Sequence, residues 1–135
     1  DLMVARLKYR GVAGLVGDGG LRDVKEPREM FFPVYCGGFT PNPSTSKMFA
    51  FELQVPIGCG GVAVFPNDII FADNDGVVVI PTEIASEVAE QCLEQEQIEK
   101  FCRLKLDSGA TIVGTYPPDE KTMEEYRLWK SDKTQ

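Results

Sequence analysis

Histidine is absent from this chain, and that removes whole classes of chemistry at once. Catalytic units that pass a proton through imidazole, from a serine or a cysteine nucleophile, have no base here. The four cysteines, Cys36, Cys59, Cys92 and Cys102, never fall in a Cys-x-x-Cys pair. Zinc centres of the usual Cys/His kind are excluded with them. Acid–base work therefore falls to carboxylates, lysine, tyrosine or metal-bound water. Cations are the minority: 14 Lys and Arg face 21 Asp and Glu, for a net charge of −7. That balance argues against a nucleic-acid partner, which needs a basic face. No apolar run approaches the roughly 20 residues of a membrane span, and no basic stretch leads into an apolar signal core. No membrane partner is expected. Scattered cysteines without pairing motifs read as buried thiols of a cytoplasmic protein.

What is present is one domain's worth of chain, 135 residues with 43% apolar content. Its organising stretch runs from Gly11 to Asp23. Val12 to Val16 reads as a buried strand bounded by glycines. Gly17, Gly19 and Gly20 then read as a turn with left-handed backbone angles, whose successive N–H groups would form an anion-binding nest. Arg22 offers a planar fork matched to a carboxylate or phosphate. Asp23 offers a hard oxygen suited to Mg²⁺ or Mn²⁺, and Glu26 follows with a second carboxylate. The plainer alternative is a tight turn beside a solvated ion pair, which contributes little.

The remaining pattern is mixed α/β. Asp1 to Tyr9 reads as a helix with Asp1 as N-cap and Gly11 as the residue that ends it. Val24 to Met30 reads as loop with a helical turn, Phe31 to Cys36 as a strand, and 37–46 as a surface loop. Met48 to Val55 alternates Phe49, Phe51, Leu53 and Val55 against polar neighbours, the pattern of a half-buried strand. Pro56 to Gly61 is a turn and Val62 to Val64 a short buried strand. Ile69–Ala72 and Val77–Ile80 form a hairpin about Asp73-Asn74-Asp75-Gly76. Asp68, Asp73 and Asp75 are read as turn formers, because their spacing fails that of a calcium loop. Thr82 is read as the cap of a long helix over 83–106, with Ile84, Val88, Cys92, Ile98, Phe101 and Cys102 as its apolar stripe. Residues 111–118 read as extended. Asp119 caps a last helix whose Met123, Tyr126 and Trp129 share one side, and the final residues should fray.

Several separated motifs resemble the RraA-like family. Asp1, twenty residues, then Arg22-Asp23 matches its Asp-x20-Arg-Asp pattern, and Arg22-Asp23-x-x-Glu26 the extended form of its aldolases. Ile57 to Asp68 and Ala72 to Pro81 are similar to its second-half signatures, with Asn67 in place of a glycine; asparagine also tolerates positive φ. The resemblance covers about residues 1–106 and implies the C-terminal portion of a swivelling β/β/α-type domain, with 107–135 as an extension carrying a docking helix. Members carry a substantial part before the position of Asp1, which implies a longer parent protein. The family includes class II pyruvate aldolases for 4-hydroxy-4-methyl-2-oxoglutarate and 4-carboxy-4-hydroxy-2-oxoadipate, oxaloacetate decarboxylases, and the regulator of ribonuclease activity A. The resemblance implies a divalent-metal-dependent lyase that cleaves a C–C bond beside the ketone of a 2-oxo acid to give pyruvate. Electrons left by that cleavage form the pyruvate enolate, whose charge a metal stabilises.

Within that expectation, Arg22 binds the substrate carboxylate, with backbone amides of Gly19, Gly20 and Leu21 sharing the role. Asp23 anchors Mg²⁺ or Mn²⁺, and Asp1 and Glu26 hold waters or move protons. A homotrimer or hexamer with sites between subunits is implied, and Glu96 or Glu99 are candidates to reach a neighbour's site. The competing expectation is a non-catalytic protein-binding regulator, its acidic helix docked on a basic partner.

Overall fold

The computed structural model describes residues 1–46 and 48–133. By packing, the chain divides into two compact units, Asp1–Thr82 and Glu83–Gln135. The resemblance divides it differently, at residue 106, because that is where the motifs stop.

The first unit opens on helix α1, Leu2–Tyr9, with Asp1 as N-cap accepting the Leu2 N–H. Helix α1 ends in a Schellman motif. The Gly11 N–H reaches the Lys8 carbonyl at 3.0 Å, and the Val12 N–H reaches the Leu7 carbonyl at 3.1 Å. Gly11 sits at φ 77°, the left-handed angle that this ending requires. Strand β1, Leu15–Leu21, and strand β2, Val34–Phe39, pair in parallel, and the short helix α2, Lys25–Glu29, lies between them in sequence. The buried side chains here are Val4, Pro27 and Phe32. Lys8 ties α1 to the end of α2 by donating to the Met30 carbonyl.

Two antiparallel hairpins follow: β3, Ile57–Cys59, with β4, Val62–Val64, and β5, Ile69–Ala72, with β6, Val77–Ile80. Gly60 and Gly61 at φ 59° and 82° close the first as a two-residue loop with positive φ at both positions. Asp73 closes the second: its Oδ1 accepts the Asp75 N–H at 2.8 Å and the Gly76 N–H at 3.3 Å. Asn67 takes φ 77° in the connecting turn, where the Asp68 carboxylate accepts the Phe65 N–H.

The second unit is a helical pair. A 3-10 turn, Thr82–Ile84, leads from the first unit into α3, Ala85–Asp107, and α4, Glu120–Asp132, packs on α3. Another Schellman motif at Gly109, φ 92°, ends α3. Asp119 caps α4 by accepting the Thr122 N–H at 2.8 Å. Phe101, Tyr126 and Trp129 form a tilted aromatic cluster with centroids 5.5–6.1 Å apart. Among the described residues, no helix is long and apolar enough to cross a membrane. Residues 134 and 135, where the chain end is expected to fray, lie outside the described residues.

Several sequence expectations need correction. The first strand starts at Leu15 rather than Val12, and Val12 and Val16 are exposed rather than buried. Pro56 to Gly61 is not all turn: Ile57–Cys59 is β3, and Gly60-Gly61 makes the loop. Gly17 to Leu21 is no turn: it makes up all of β1 after Leu15 and Val16, and none of Gly17, Gly19 or Gly20 has a left-handed φ. The second strand starts later and runs further than Phe31–Cys36, because Phe31 takes φ 51° after α2 and Gly38 and Phe39 still pair with β1. Residues 48–55 form no strand. Gln54 at φ 57° interrupts the extended chain, and Phe49, Phe51 and Leu53 are 83–88% exposed. Val62 to Val64 is a strand, but Val62 is exposed rather than buried. Thr82 does not cap α3: its hydroxyl donates to the Asn67 carbonyl, and α3 starts three residues on. Residues 112–118 are a series of turns about Gly114, φ 81°, rather than an extended segment. Of the four thiols, expected to be buried, Cys102 is buried, Cys36 and Cys59 are half-buried, and Cys92 is exposed.

Candidate functional site

Three of the residues singled out in sequence meet at one corner. Asp23 follows β1 directly and takes φ 57°, a left-handed angle that aspartate adopts more readily than most side chains. Its Oδ2 accepts the Arg22 Nε–H at 2.9 Å. The backbone nitrogen of Asp1, at the start of α1, lies 3.9 Å from the same oxygen. The Arg22 and Asp23 side chains are 50% and 39% exposed, so their pairing adds little stability. Its use is geometric. Neighbours in sequence rarely aim their side chains together in extended chain, and the left-handed residue makes that possible here.

The corner is reached through an irregular strand. Gly17 pairs with Cys36 and Gly20 with Gly38, so Asp18 and Gly19 together oppose the single residue Gly37. That is a bulge, a device that redirects a strand and often lies beside functional residues. At Gly37 of β2 glycine is needed for contact, not for angle: a Cβ there would stand 2.2 Å from the Asp18 carbonyl oxygen. A Cβ on Gly20 would meet the Thr40 methyl at 2.7 Å. The Thr40 N–H donates to the Leu21 carbonyl at 3.0 Å, one residue before Arg22.

Gly19, Gly20 and Leu21 therefore lie in the strand that leads to the corner, as extended backbone and not as a nest. Glu26 stands in the first turn of α2, exposed, and its carbonyl accepts the Met30 N–H. Among the described residues no hydrogen bond or ion pair joins Glu26 to Asp1, Arg22 or Asp23. Lys25 pairs with Glu29 at 3.7 Å on the solvent side of α2, away from any role at the corner.

Two features escaped sequence reasoning. The left-handed angle of Asp23 had no signal beyond its residue type. Asp18 accepts the Gly60 N–H on Oδ2 at 3.2 Å, and the Asp18-Gly19 dipeptide that could have flagged it reads equally well as an ordinary turn. In the second unit, Glu99 accepts from Gln95 at 2.9 Å and from the Tyr116 hydroxyl at 3.3 Å. Glu94 is the more engaged acid, accepting the Tyr126 hydroxyl at 2.9 Å and an ammonium hydrogen of Lys130. The Lys130 bond, then the Tyr126 bond, hold the Glu94 carboxyl below the usual carboxylate range.

Among the described residues no cluster of three or more His, Cys, Asp or Glu could hold a metal ion. The donor set therefore differs from a zinc or calcium cage. A single hard carboxylate such as Asp23 fits the other pattern, in which Mg²⁺ takes one or two protein carboxylates and completes its shell with water and substrate.

The profile of the RraA-like family (Aldolase/RraA) matches residues 1–79. A protein of Halalkalibacterium halodurans named "Putative 4-hydroxy-4-methyl-2-oxoglutarate aldolase" is 35% identical over 116 residues, covering 86% of this chain and 55% of that one. The crystal structure of Streptomyces coelicolor RraAS2, described as an unusual member of the RNase ES inhibitor RraA protein family, superposes with a TM-score of 0.72. Identity there is 39%, over 77% of this chain and 53% of that one. An uncharacterized protein from Pseudomonas syringae pv. tomato shares the fold, with a TM-score of 0.75 at 23% identity, over 86% of this chain and 58% of that one. The chain thus spans about half the length of these relatives. With a mixed α/β architecture of small sheets, a long helix and a final helix, and with the profile covering most of its first unit, the chain belongs to the RraA-like family.

Proposed function

We propose that the Asp1–Arg22–Asp23 corner serves a divalent-metal-dependent carbon–carbon lyase acting on 2-oxo acids with a pyruvate core. The observation that carries this reading is the joint placement of Arg22 and Asp23, a carboxylate-binding cation 2.9 Å from a hard oxygen donor held at a left-handed angle. The name of the Halalkalibacterium relative supports the same reaction class.

In this reading the Arg22 terminal nitrogens bind the substrate carboxylate in a bidentate manner, since Nε–H is engaged by Asp23. Asp23 holds Mg²⁺ or Mn²⁺, with Asp1 and Glu26 ordering the surrounding waters. When bound, that ion supplies Lewis-acid stabilisation of negative charge at the substrate's 2-oxo group. Glu26, exposed at the start of α2, takes the proton of a 4-hydroxyl as the C3–C4 bond breaks, or returns one to C3 of pyruvate. With oxaloacetate the same bond breaks with loss of CO₂, so one site accommodates both reactions. Backbone amides of Gly19 to Leu21 contribute only where the ladder with β2 leaves them unused. Assembly as a homotrimer or hexamer in the cytoplasm, with a neighbour completing the site, belongs to this proposal.

The second reading, a protein-binding regulator, has its own support. The Streptomyces relative is described as belonging to a ribonuclease-inhibitor family. Helix α3 presents Glu87, Glu90, Glu96 and Glu99 to solvent. Pyruvate release from oxaloacetate, measured with Mg²⁺ and with EDTA, separates the two. Free metal decarboxylates oxaloacetate unaided, so an Arg22→Ala variant runs beside the parent chain. Activity that needs both Mg²⁺ and Arg22 is expected. Equal rates for parent and variant, on oxaloacetate and on 4-hydroxy-2-oxo acids, would leave the regulator.

A further inference from the structure

Asp18 belongs to none of the roles assigned so far. It stands in the β1 bulge, and its Oδ2 accepts the Gly60 N–H at 3.2 Å. Gly60 opens the two-residue loop between β3 and β4, and an N–H at that position has no partner in the hairpin's own ladder. Asp18 supplies the partner from another element.

That bond has an unusual share of responsibility. Strands β1 and β2 pair with each other, β3 with β4, and β5 with β6, and no ladder joins one ribbon to the next among the described residues. The three ribbons instead wall an apolar cavity of about 470 Å³, with Asp18 and Gly60 both in its lining. The Asp18–Gly60 bond is a direct side-chain tie from the bulge to the hairpin loop across that cavity.

The bulge in turn sets the register of the chain beyond it. Asp18 and Gly19 oppose Gly37 as two residues against one, and the pairing resumes at Gly20 and Leu21. A slip of one residue would turn each later side chain to the opposite face. From Leu21, held by the Thr40 N–H, the chain turns into Arg22 and Asp23.

We propose that Asp18 is a positioning residue: its bond to the Gly60 amide pins the β1 bulge and so sets how Arg22 and Asp23 are presented. It touches neither substrate nor metal. The inference rests on the reading of that corner as a site for a carboxylate and a divalent cation.

The test uses the full chain, Mn²⁺ as the cation, and oxalate as an unreactive ligand with two adjacent carboxylates. Oxalate binding in the presence of Mn²⁺ is followed by calorimetry and by the Mn²⁺ paramagnetic resonance signal. Amide hydrogen exchange is read on the unliganded chain. Asp18→Asn keeps an oxygen acceptor for the Gly60 N–H, whereas Asp18→Ala removes it. Asp18→Ala is expected to weaken oxalate binding tenfold or more, as loss of groups that orient metal ligands does, at about 10- to 100-fold. It is also expected to speed exchange at Gly60 and at residues 21–23 while leaving α1 unchanged. Asp18→Asn is expected to restore both readouts. Asp18→Ala that binds like the parent, while Arg22→Ala fails to bind, overturns the positioning role and leaves the lyase reading standing. Asp18→Asn as weak as Asp18→Ala overturns the hydrogen bond as the cause. A parent that does not bind, or an Arg22→Ala variant that binds equally well, overturns the lyase reading and this inference with it.

Discussion

Gly37→Ala is the sharpest test of how the corner is built. The added Cβ would stand 2.2 Å from the Asp18 carbonyl oxygen and 2.9 Å from its carbon. Ordinary contact begins beyond about 3.4 Å, so β1 and β2 must part by roughly 1 Å at the bulge. Both obstructing atoms are backbone, and no rotamer change relieves the clash. Overpacking of this kind costs about 1–3 kcal/mol, and the upper end is expected because ladder bonds beside the bulge lengthen with it. At about 3 kcal/mol, amide protection at residues 34–39 falls about 160-fold.

Gly19→Ala is the contrast. No atom lies within 4 Å of its added Cβ, and its φ is not left-handed. It should be neutral, or stabilise by about 0.4–1 kcal/mol through the unfolded chain. Gly20→Ala falls between, because its clash at 2.7 Å is with a Thr40 methyl that can rotate away. A nest of left-handed glycines would reverse the order, with Gly19→Ala strained by about 1–2 kcal/mol and Gly37→Ala indifferent. Urea unfolding followed by far-UV circular dichroism, together with the exchange data, decides between them. A Gly37→Ala chain as stable as its parent would refute the close approach of the two strands.

The remaining predictions concern the corner and the helical unit. Asp23→Ala places alanine at φ 57° and should cost about 1–2 kcal/mol, whereas Asp23→Gly and Asp23→Asn should cost less; urea midpoints in the order Gly or Asn above Ala confirm a left-handed residue 23. Phe101→Ala removes the ring between Tyr126 and Trp129 and should cost about 3–5 kcal/mol, with red-shifted emission from Trp129, the chain's single tryptophan. Acid should weaken the helical unit. The folded Glu94 carboxyl is lowered by its bonds from Lys130 and Tyr126, and that of Asp119 by the Thr122 N–H. Their contribution is complete above the unfolded range near pH 4 and is lost as pH falls through the lower folded values. At the alkaline end Lys130 is raised by its bond to Glu94, and Tyr126 by burial and then by Glu94. That contribution is complete below about pH 10 and lost as pH rises through the folded values. The urea midpoint by Trp129 fluorescence should therefore be level from about pH 5 to 9 and fall on both sides. A midpoint that does not fall between about pH 4 and 2 would contradict the Glu94 and Asp119 assignments.

Local signals in the sequence were enough wherever one residue type answers one backbone need. Asp1 and Asp119 cap helices because a short carboxylate reaches the first free N–H groups. Gly11 ends a helix because the left-handed angle requires little else. Asp73 closes its hairpin for the same kind of reason. Failure came where a pattern needs a distant partner. Phe49, Phe51 and Leu53 alternate as a strand should, yet alternation describes only a face, and a ladder needs a second chain segment in register.

The glycines of β1 and β2 show the same limit at the candidate site. From sequence, Gly17-Asp18-Gly19-Gly20 is equally a turn with free N–H groups or a strand packed too closely for side chains, because glycine suits both. Only the partner settles the choice: Gly37 gives up its Cβ to the Asp18 carbonyl, so the run is held extended and delivers Arg22 and Asp23 at its end. In the proposed lyase, anion recognition would then depend chiefly on the Arg22 fork rather than on a backbone cradle. A fork fixed through a bulge is sensitive to register in a way a nest is not. Substitutions at Gly37, on a different strand from Arg22, should for that reason damage ligand binding as well as stability.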